Sequence, residues 1–353
     1  MMVTKSPIFG LLALLLGLTA STGATQPAPA RTFERPEQLT VGYLPFLVMP
    51  QFAAARDKGW LNELGTKIRE IRFTTGGQIA QAFAGGQLDA AWIGSGPAIN
   101  MAHQGVPAKV VAAVNRDTIA IVAHNDFAEL YEKDPSAAAF RAYQERYGRK
   151  LRIGTAPTGT TVDIFMRLWL NKLGVDPERD VQILAMAAGV TPAAAIAKQI
   201  DATVTVEHFI TLMPRVFPSR VIAWGQDVRP GQPNHVLVVH QRMMDNYPEF
   251  VKKLVELHLR ATRALREDKD YWAKVASDWV GAELLPLDVA RQAVRSPAAN
   301  LIANPRLIVD GIRTEDRFLV SLGRWPGPVT MEQIFDFRFY DAVVREHPEL
   351  GGL

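Results

Sequence analysis

The chain of 353 residues contains no cysteine, so it has no thiolate for a metal site, a redox reaction or nucleophilic catalysis, and no disulfide can form within it. Charge of one sign is also scarce: 39 Lys and Arg residues against 36 Asp and Glu residues leave a formal charge of +3, and no segment is basic enough to predict a nucleic-acid partner. The seven histidines are scattered, without the spacing of a metal site. Walker, G-x-G-x-x-G and G-x-S-x-G motifs are missing too, and no cofactor is predicted.

Long hydrophobic runs are equally scarce. The most pronounced one, Ile8–Leu18, has 11 residues, whereas a membrane-spanning helix needs roughly 20. Preceded by a lysine and followed by small residues, it predicts a signal peptide over residues 1–24, cleaved after Ala24 or Ala30; the alternative is an uncleaved anchor. Because no cysteine follows for lipid attachment, we expect a free periplasmic protein, with residues 25–38 as a linker.

From Leu39 onwards, short apolar strands alternate with helices that end in glycine, which is typical of βαβ units and predicts parallel sheets. The predicted strands include Leu151–Thr155 and Ala202–Val206, and Gly59 and Gly174 are predicted to end helices. The pattern occurs twice at an offset of 112 residues. The residues that repeat are Gly42 and Gly154, Gly77 and Gly189, and Asp89 and Asp201. The two halves therefore predict two similar α/β lobes, and Asp89 and Asp201, each before a strand, are interpreted as structural.

The repeat also predicts how the chain divides. Residues 39–121 and 236–353 are assigned to the first lobe and residues 122–235 to the second, with crossings near Ile119–His124 and Asn234–Val238. Ligands bind at the carboxyl ends of the strands in open α/β sheets, so a ligand cleft is expected between the lobes. After the repeat, an amphipathic helix is predicted over Tyr247–Leu265.

The aromatic residues near the carboxyl terminus leave an alternative open. Phe335, Phe337 and Phe339 alternate as in a strand, but the residues around them favour a helix. The sequence does not decide between the two, and the structure of residues 325–353 is not predicted.

Several glycine-containing motifs occur in a characteristic order. They are Val41-Gly42-Tyr43, Gly76-Gly77, Gly85-Gly86-Gln87-Leu88-Asp89-Ala90, Gly94-Ser95-Gly96-Pro97, Thr158-Gly159-Thr160-Thr161, and Asp201-Ala202 leading to Glu207. Over roughly residues 39–265 the chain resembles the sulfonate/nitrate/taurine (thiamine-precursor-like) class of periplasmic ABC-transporter substrate-binding proteins. The resemblance implies an α/β, two-lobed type II periplasmic-binding-protein fold that closes around a small-molecule ligand. It also implies a permease and an ATPase as partners of a monomeric binding protein.

The candidate ligand-binding residues lie where predicted strands end. In Pro157–Thr161, a helix start and threonine hydroxyls offer hydrogen-bond donors to an anion, although these threonines could simply cap the helix. In the first lobe, Ser95 and Gly96 occupy the corresponding loop. The residues predicted to bind ligand are Tyr43, Pro45, Phe46, Ser95, Gly96, Thr158, Gly159, Thr160, Thr161 and Glu207.

Two of these assignments have structural alternatives. Tyr43, Pro45 and Phe46 could wall the pocket or pack in the core or hinge. Glu207 is expected at the cleft, where a carboxylate beside donors would suit a zwitterion such as taurine; alternatively it pairs with an arginine or caps a helix. Here the sequence reads Val206-Glu207-His208-Phe209, whereas relatives often place an aromatic residue before the acid and a proline after it.

The sequence thus predicts a solute-binding component of an importer for a sulfonate, taurine, nitrate or similar small polar molecule, not an enzyme. One alternative is an enzyme of the same fold related to thiamine-pyrimidine synthesis, but those enzymes carry a cysteine-rich motif that this chain lacks. A periplasmic ligand sensor is the other alternative.

Overall fold

The computed structural model describes residues 1–2 and 33–353. Apart from Met1 and Met2, the predicted signal peptide falls outside these residues, as does most of the predicted linker. The chain divides into two compact units, Met1–Phe33 and Glu34–Leu353, and all elements reported below belong to the second. Within the described residues, no helix is both long and apolar enough to span a membrane.

Ten strands and sixteen α-helices are found in the described residues. The strands are β1 Gln38–Tyr43, β2 Lys67–Arg72, β3 Ala90–Gly94, β4 Ala108–Arg116, β5 Ile119–His124, β6 Leu151–Thr155, β7 Val181–Ala185, β8 Ala202–Val206, β9 Ser219–Trp224 and β10 Pro233–His240. The α-helices are α1 Gln51–Asp57, α2 Gly76–Ala84, α3 Ser95–His103, α4 Asn125–Lys133, α5 Ala137–Tyr147, α6 Thr161–Lys172, α7 Thr191–Ile196, α8 Phe209–Val216, α9 Gly225–Val228, α10 Gln241–Asn246, α11 Pro248–Glu267, α12 Lys269–Val280, α13 Leu287–Ala293, α14 Val309–Ser321, α15 Met331–Ile334 and α16 Arg338–Glu346. Short 3₁₀ helices cover Trp60–Leu64, Ala188–Val190, Pro305–Ile308 and Pro348–Leu350.

The strands form two five-stranded sheets of the same design. Their orders are β2-β1-β3-β10-β4 and β7-β6-β8-β5-β9. In each sheet four strands run in the same direction, while the fifth, β10 or β5, runs antiparallel to both of its neighbours. The expectation of parallel sheets therefore holds for these four strands and is wrong for β5 and β10. Both are strands by which the chain enters one sheet from the other, so neither is joined to a neighbouring strand of its own sheet by the helical crossover of a βαβ unit.

We call the first sheet with its helices lobe 1 and the second sheet with its helices lobe 2. The chain passes between them at residues 117–118 and again before Pro233. The boundaries predicted after residues 121 and 235 thus fall inside β5 and β10. The division into lobes is our proposal, and it is based on the two separate sheets.

The 112-residue repeat is visible in matched hydrogen bonds. The backbone N–H of Thr40 donates to Oδ2 of Asp89 at 2.7 Å, and the backbone N–H of Arg152 donates to Oδ2 of Asp201 at 3.0 Å. Both aspartates are nearly buried and fix the start of one strand against the start of the next. These contacts support the structural interpretation of the two residues.

The repeated glycines have a matched steric reason. A Cβ on Gly42 would lie 2.8 Å from the side chain of Leu88, and a Cβ on Gly154 would lie 2.9 Å from the side chain of Ile200. In each lobe an aliphatic side chain lies directly over the backbone of the first parallel strand. A larger residue at either glycine would have to displace that side chain.

The chain after β10 packs on both lobes. Helix α11 buries Phe250, Leu254, Leu257, Ala261 and Leu265, which is the apolar face that its periodicity predicts. Helix α13 contacts α8 of lobe 2, whereas α14 contacts both α3 of lobe 1 and α6 of lobe 2. The carboxyl-terminal part of the chain therefore connects the lobes in addition to the two crossing strands.

The phenylalanines that the sequence left open have two different environments. Phe335 forms an isolated parallel bridge with Val110, at the edge of the first sheet. Phe337 precedes α16, and Phe339 lies inside that helix. The alternating phenylalanines therefore do not form a strand: Phe335 belongs to a single β-bridge, and a helix begins shortly after it.

Candidate functional site

A cavity lies between the lobes, at the carboxyl ends of the parallel strands. About 70 Å³ of it is accessible to the centres of water molecules, and one water needs roughly 10–15 Å³ of such volume, so a small ligand of several heavy atoms fits. Lobe 1 lines it with Leu44, Phe46, Thr74, Thr75, Gly76, Gly94 and Pro97. Lobe 2 lines it with Thr155, Ala156, Pro157, Thr160, Thr161, Val162, Ala187, Ala188, Thr191, Val204, Thr205 and Val206, and β10 adds Asn234 and His235.

The lining carries no formal charge. Among the described residues that line the cavity there is no Asp, Glu, Lys or Arg. His235 is the one lining residue with a titratable side chain, and its burial lowers its pKa to about 3. Its Nδ1 lies 3.0 Å from Nδ2 and 3.3 Å from Oδ1 of Asn115, which fixes the ring. The imidazole is therefore neutral at physiological pH.

Two helices begin at the cavity, one from each lobe. Thr75 caps α2, accepting a hydrogen bond from the N–H of Gln78 at 3.4 Å, and Thr160 caps α6, accepting one from the N–H of Asp163 at 3.4 Å. The first N–H groups of a helix have no partner within the helix, and the helix dipole places partial positive charge there. Both helix starts therefore favour an anionic or strongly polar group between them.

Thr155, at the end of β6, adds an unused hydrogen-bonding group. Its side chain is 2% exposed, it lines the cavity, and Oγ1 has no hydrogen-bond partner among the described residues. A buried hydroxyl without a partner costs free energy, since its bonds to water are lost without replacement. A ligand that accepts a hydrogen bond in the cavity would satisfy this hydroxyl.

The structure brings three of the predicted residues to the cavity, namely Phe46, Thr160 and Thr161. Thr158 and Gly159 lie at an adjoining depression on the rim, together with Arg324 and Trp325. Their contact with a ligand remains a prediction.

Tyr43 and Pro45 do not line the cavity. The ring of Tyr43 stacks on Trp279, with centroids 4.1 Å apart, so its place is in the packing of lobe 1 against α12. The packing alternative describes Tyr43, while Phe46 alone of this group reaches the cavity.

Ser95 and Gly96 lie behind the cavity wall, where the lobes touch. Oγ of Ser95 donates to Oε2 of Glu315 at 2.8 Å, and the N–H of Gly96 donates to Oγ1 of Thr161 at 2.9 Å. A second bond between the lobes joins Nδ2 of Asn100 to the carbonyl of Gly159 at 3.2 Å. These hydrogen bonds join the two lobes, and neither Ser95 nor Gly96 lines the cavity.

Glu207 does not line the cavity either. It is fully buried, and its carboxylate accepts hydrogen bonds from the N–H and the hydroxyl of Thr211, at 3.0 and 2.9 Å. Burial raises its pKa to about 7. The helix-capping alternative therefore describes Glu207, because the side chain turns back onto the first turns of α8.

Sequence reasoning missed several lining residues. The cap Thr75 was detectable, because Thr75 and Gln78 have the spacing of a capping box and the structure forms both of its bonds. Thr155 ends a strand that the sequence predicts correctly. His235 had no local signal, since it reaches the cavity only because β10 inserts between β3 and β4. Among the described residues, no group of three His, Asp or Glu side chains could hold a metal ion.

Residues 33–280 match the model of the NMT1-like family. The chain belongs to the NMT1-like family. Within curated sequences, this NMT1-like chain is 28% identical over 156 residues to the nitrate/nitrite binding protein NrtA of Nostoc sp., covering 41% of the chain and 35% of NrtA. It thus spans about a third of the length of that relative.

Solved structures show the same fold in this NMT1-like protein. The periplasmic nitrate-binding protein NrtA of Synechocystis superposes with a TM-score of 0.73 at 14% identity, covering 90% of each chain. The alkanesulfonate-binding protein SsuA of Xanthomonas axonopodis, bound to MOPS, superposes with a TM-score of 0.69 at 18% identity, covering 86% of this chain and 99% of SsuA. The predicted two-lobed periplasmic-binding-protein fold is confirmed, and the proteins compared are binding proteins rather than enzymes.

Proposed function

We propose that this NMT1-like protein is the periplasmic solute-binding component of an ABC importer, and that it binds a small anion with a short apolar group, such as an alkanesulfonate. The observation that carries the proposal is the uncharged cavity between the lobes, where two helix starts converge beside the unpartnered hydroxyl of Thr155. Donors without a fixed countercharge suit a weakly basic oxyanion.

The lining favours an alkanesulfonate over the other ligands considered. Taurine carries an ammonium group, and no carboxylate among the described lining residues would pair with it. Nitrate would satisfy the donors but would leave Leu44, Phe46, Val204 and Val206 without an apolar partner. An anion with an alkyl group satisfies both parts of the surface.

A neutral heterocycle such as an aminopyrimidine is the second candidate. Phe46 and the neutral His235 present two rings with centroids 6.0 Å apart, and an uncharged aromatic ligand would meet no electrostatic cost there. The unpartnered Thr155 hydroxyl serves a ring nitrogen as well as a sulfonate oxygen, so the two classes must be separated by experiment.

The proposal extends to location and partners. A signal peptide over residues 1–24 would deliver the protein to the periplasm without a lipid anchor, and a membrane permease and an ATPase would receive the loaded protein. The names of the similar proteins support this assignment, since NrtA is periplasmic and nitrate-binding and SsuA is alkanesulfonate-binding. We propose a monomer.

A ligand panel tests the proposal. We expect ethanesulfonate to raise the melting temperature more than taurine, nitrate or an aminopyrimidine, because it suits both the donors and the apolar side chains of the lining. A ligand at 100 times its Kd stabilises the folded state by about 2.7 kcal/mol, which is enough to measure. Calorimetry then gives the Kd. Thr155→Val should weaken ethanesulfonate binding about 10-fold or more, since it removes one hydrogen bond to a charged ligand.

Thr203→Val is the matched control. Thr203 also has a buried hydroxyl without a partner, but it does not line the cavity, so its variant should bind as the parent does. A response to the aminopyrimidine alone would replace the sulfonate with the neutral ligand. Equal affinities of the two variants would remove Thr155 from the site.

A further inference from the structure

We propose that Glu315 is a positioning residue for closure: its carboxyl group orders the hydroxyls of Ser95 and Thr161, which bridge the two lobes. The inference rests on the proposed function only in that closure serves to retain a ligand. The bridge itself is made by the protein alone.

The side chains of Glu315, Ser95 and Thr161 form a continuous series of buried hydrogen bonds. Glu315, on α14, and Ser95, at the start of α3, are both completely buried. Oγ of Ser95 donates to Oε2 of Glu315 at 2.8 Å and lies 3.2 Å from Oγ1 of Thr161, at the start of α6. Helix α14, lobe 1 and lobe 2 thus meet at one point.

The number of hydroxyl protons fixes which group donates in each of these hydrogen bonds. A serine or threonine hydroxyl has one proton to donate. Because Ser95 gives its proton to Glu315, it can only accept from Thr161, and Thr161 in turn accepts the N–H of Gly96 at 2.9 Å. Without the carboxyl group, Ser95 could turn its own proton towards Thr161, and Thr161 would then donate to the carbonyl of Asn234, at 3.4 Å, instead of to Ser95. Glu315 therefore sets the direction of the hydrogen bond between Ser95 and Thr161.

The carboxyl group is placed at an energetic cost. Its Oε1 is buried and has no hydrogen-bond partner among the described residues. Burial raises the pKa of Glu315 to about 7, and the nearby Arg229 and Gln232 offset only part of this. A leucine would fill this position more favourably if packing were its only task, so the polar residue fits a role in orientation.

A second link from the same helix reaches the same interface. Asp316 lies 2.5 Å from Nε2 of His103, and the ring of His103 stacks on Trp325 with centroids 4.7 Å apart. Nε1 of Trp325 donates to Asn100 at 3.1 Å, and Asn100 donates to the carbonyl of Gly159 in lobe 2. Helix α14 is thus connected to lobe 2 through two separate routes that both cross α3.

Amide hydrogen exchange of Gly96 in the ligand-free protein tests the inference. Gly96 lies in the first turn of α3, where an N–H has no partner within the helix, so its protection comes from Thr161 across the interface. We expect Ser95→Ala and Glu315→Leu to speed its exchange about tenfold, because both variants remove the hydrogen bond between Ser95 and Glu315 that orders the hydroxyl of Thr161, the acceptor of this N–H. Glu315→Gln, which keeps an acceptor for Ser95, should restore the slow exchange.

Thr211→Val is the matched control, because it removes a buried hydroxyl that bonds to a carboxylate within lobe 2. It should leave the exchange of Gly96 unchanged. Unchanged exchange in Ser95→Ala, or equal acceleration by Thr211→Val, would overturn the inference; Ser95→Ala decides alone if Glu315→Leu does not fold.

The outcome is independent of the ligand. If ethanesulfonate fails to bind but Ser95→Ala speeds exchange at Gly96, the proposed ligand is wrong and the positioning role stands. If ethanesulfonate binds and exchange at Gly96 does not change, the positioning role is wrong and the proposed function stands.

Discussion

The two lobes share the same framework but differ at the position that directly follows β3 in lobe 1 and β8 in lobe 2. Both sheets have the same order, and the aspartates that connect their strands are 112 residues apart. The same offset makes Ser95 and Glu207 equivalent positions. Ser95 bonds to Glu315 next to the other lobe, whereas Glu207 bonds to Thr211 within its own lobe.

This difference shows where the function departs from the repeat. A residue that recurs, such as Asp89 or Asp201, serves the lobe's own stability. A position that has diverged, such as Ser95 or Glu207, serves different tasks in the two halves: one loop makes contact across the cleft and the other closes on its helix. Residues that recur at the 112-residue offset therefore belong to the framework of each lobe. Equivalent positions with different residues include those that make contacts between the lobes.

The largest effect is expected for Gly96→Ala. A Cβ on Gly96 would lie 2.8 Å from the backbone N of Thr161 and 2.9 Å from the carbonyl of Gly159. These backbone atoms belong to the other lobe, so relief requires the lobes to separate. Overpacking by a methyl group costs about 1–3 kcal/mol, and ethanesulfonate affinity measured by calorimetry should fall by up to about 100-fold.

Gly77→Ala is the control for this variant. Gly77 lies in the first turn of α2 in the same lobe, with nothing within 4 Å of an added Cβ, so alanine meets no obstacle there and should leave the affinity unchanged. Small-angle scattering gives an independent readout. A radius of gyration for Gly96→Ala with ethanesulfonate as small as that of the parent would show that closure tolerates the methyl group.

The next effect concerns Glu207→Gln and its dependence on pH. Because burial raises the pKa of Glu207 from 4.5 to about 7, the folded state holds this proton more tightly than the unfolded state. The contribution of Glu207 to stability therefore falls as pH rises through this window. The stability of the variant relative to the parent should rise by up to about 3 kcal/mol from pH about 4.5 to about 8.

Denaturant unfolding of both proteins across this pH range measures the difference. Buried histidines such as His208, whose pKa is lowered to about 4, act in the opposite direction but are common to both proteins and cancel. A difference that does not change with pH would mean that Glu207 has an ordinary pKa. Unaltered ethanesulfonate binding in Glu207→Gln is expected as well.

The smallest effects are expected on the stability of variants of the two framework aspartates, Asp89 and Asp201. Asp201 accepts hydrogen bonds from the guanidinium groups of Arg149 and Arg152, which hold its pKa below the usual value, although burial opposes them. Among the residues that the structure describes, Asp89 forms an ion pair with Arg242 alone. Because the arginines are partly exposed, we expect Asp201→Asn to cost about 2 kcal/mol at neutral pH and Asp89→Asn about 1 kcal/mol.

The cost of Asp201→Asn should shrink on acidification. A lowered pKa contributes stability that is present above about pH 4 and is lost as pH falls further, so unfolding curves at neutral and acidic pH should converge for parent and variant. A larger cost for Asp89→Asn than for Asp201→Asn would contradict the ranking.

The sequence predicts most of the fold because the fold is built from local patterns. Alternating strands and helices, the glycines at helix ends and the 112-residue offset are all local in the chain, and the strands Leu151–Thr155 and Ala202–Val206 have the predicted bounds. The antiparallel strands β5 and β10 were not predicted as such. Their direction depends on which sheet they join, and that is decided by distant contacts. Helices α4 and α5 were also not predicted.

The candidate site was predictable only in part for the same reason. Phe46, Thr160 and Thr161 follow strands whose ends meet at the cleft. Whether a side chain at such a place faces the cavity or turns away depends on its partner, and the partners of Ser95 and Glu207 could not be inferred from spacing. For Ser95 the partner is Glu315, 220 residues further along the chain.

The insertion of β10 between β3 and β4 has a consequence for the order in which the protein folds. All five strands of lobe 2 come from the continuous segment Ile119–Trp224. Lobe 1, by contrast, lacks a central strand until the chain has passed through lobe 2 and reached Pro233–His240. Long-range pairing of this kind is slow to form, because a long loop must close first. Lobe 2 should therefore complete its sheet first, and lobe 1, which supplies one wall of the cavity, should be the last part of the protein to become native.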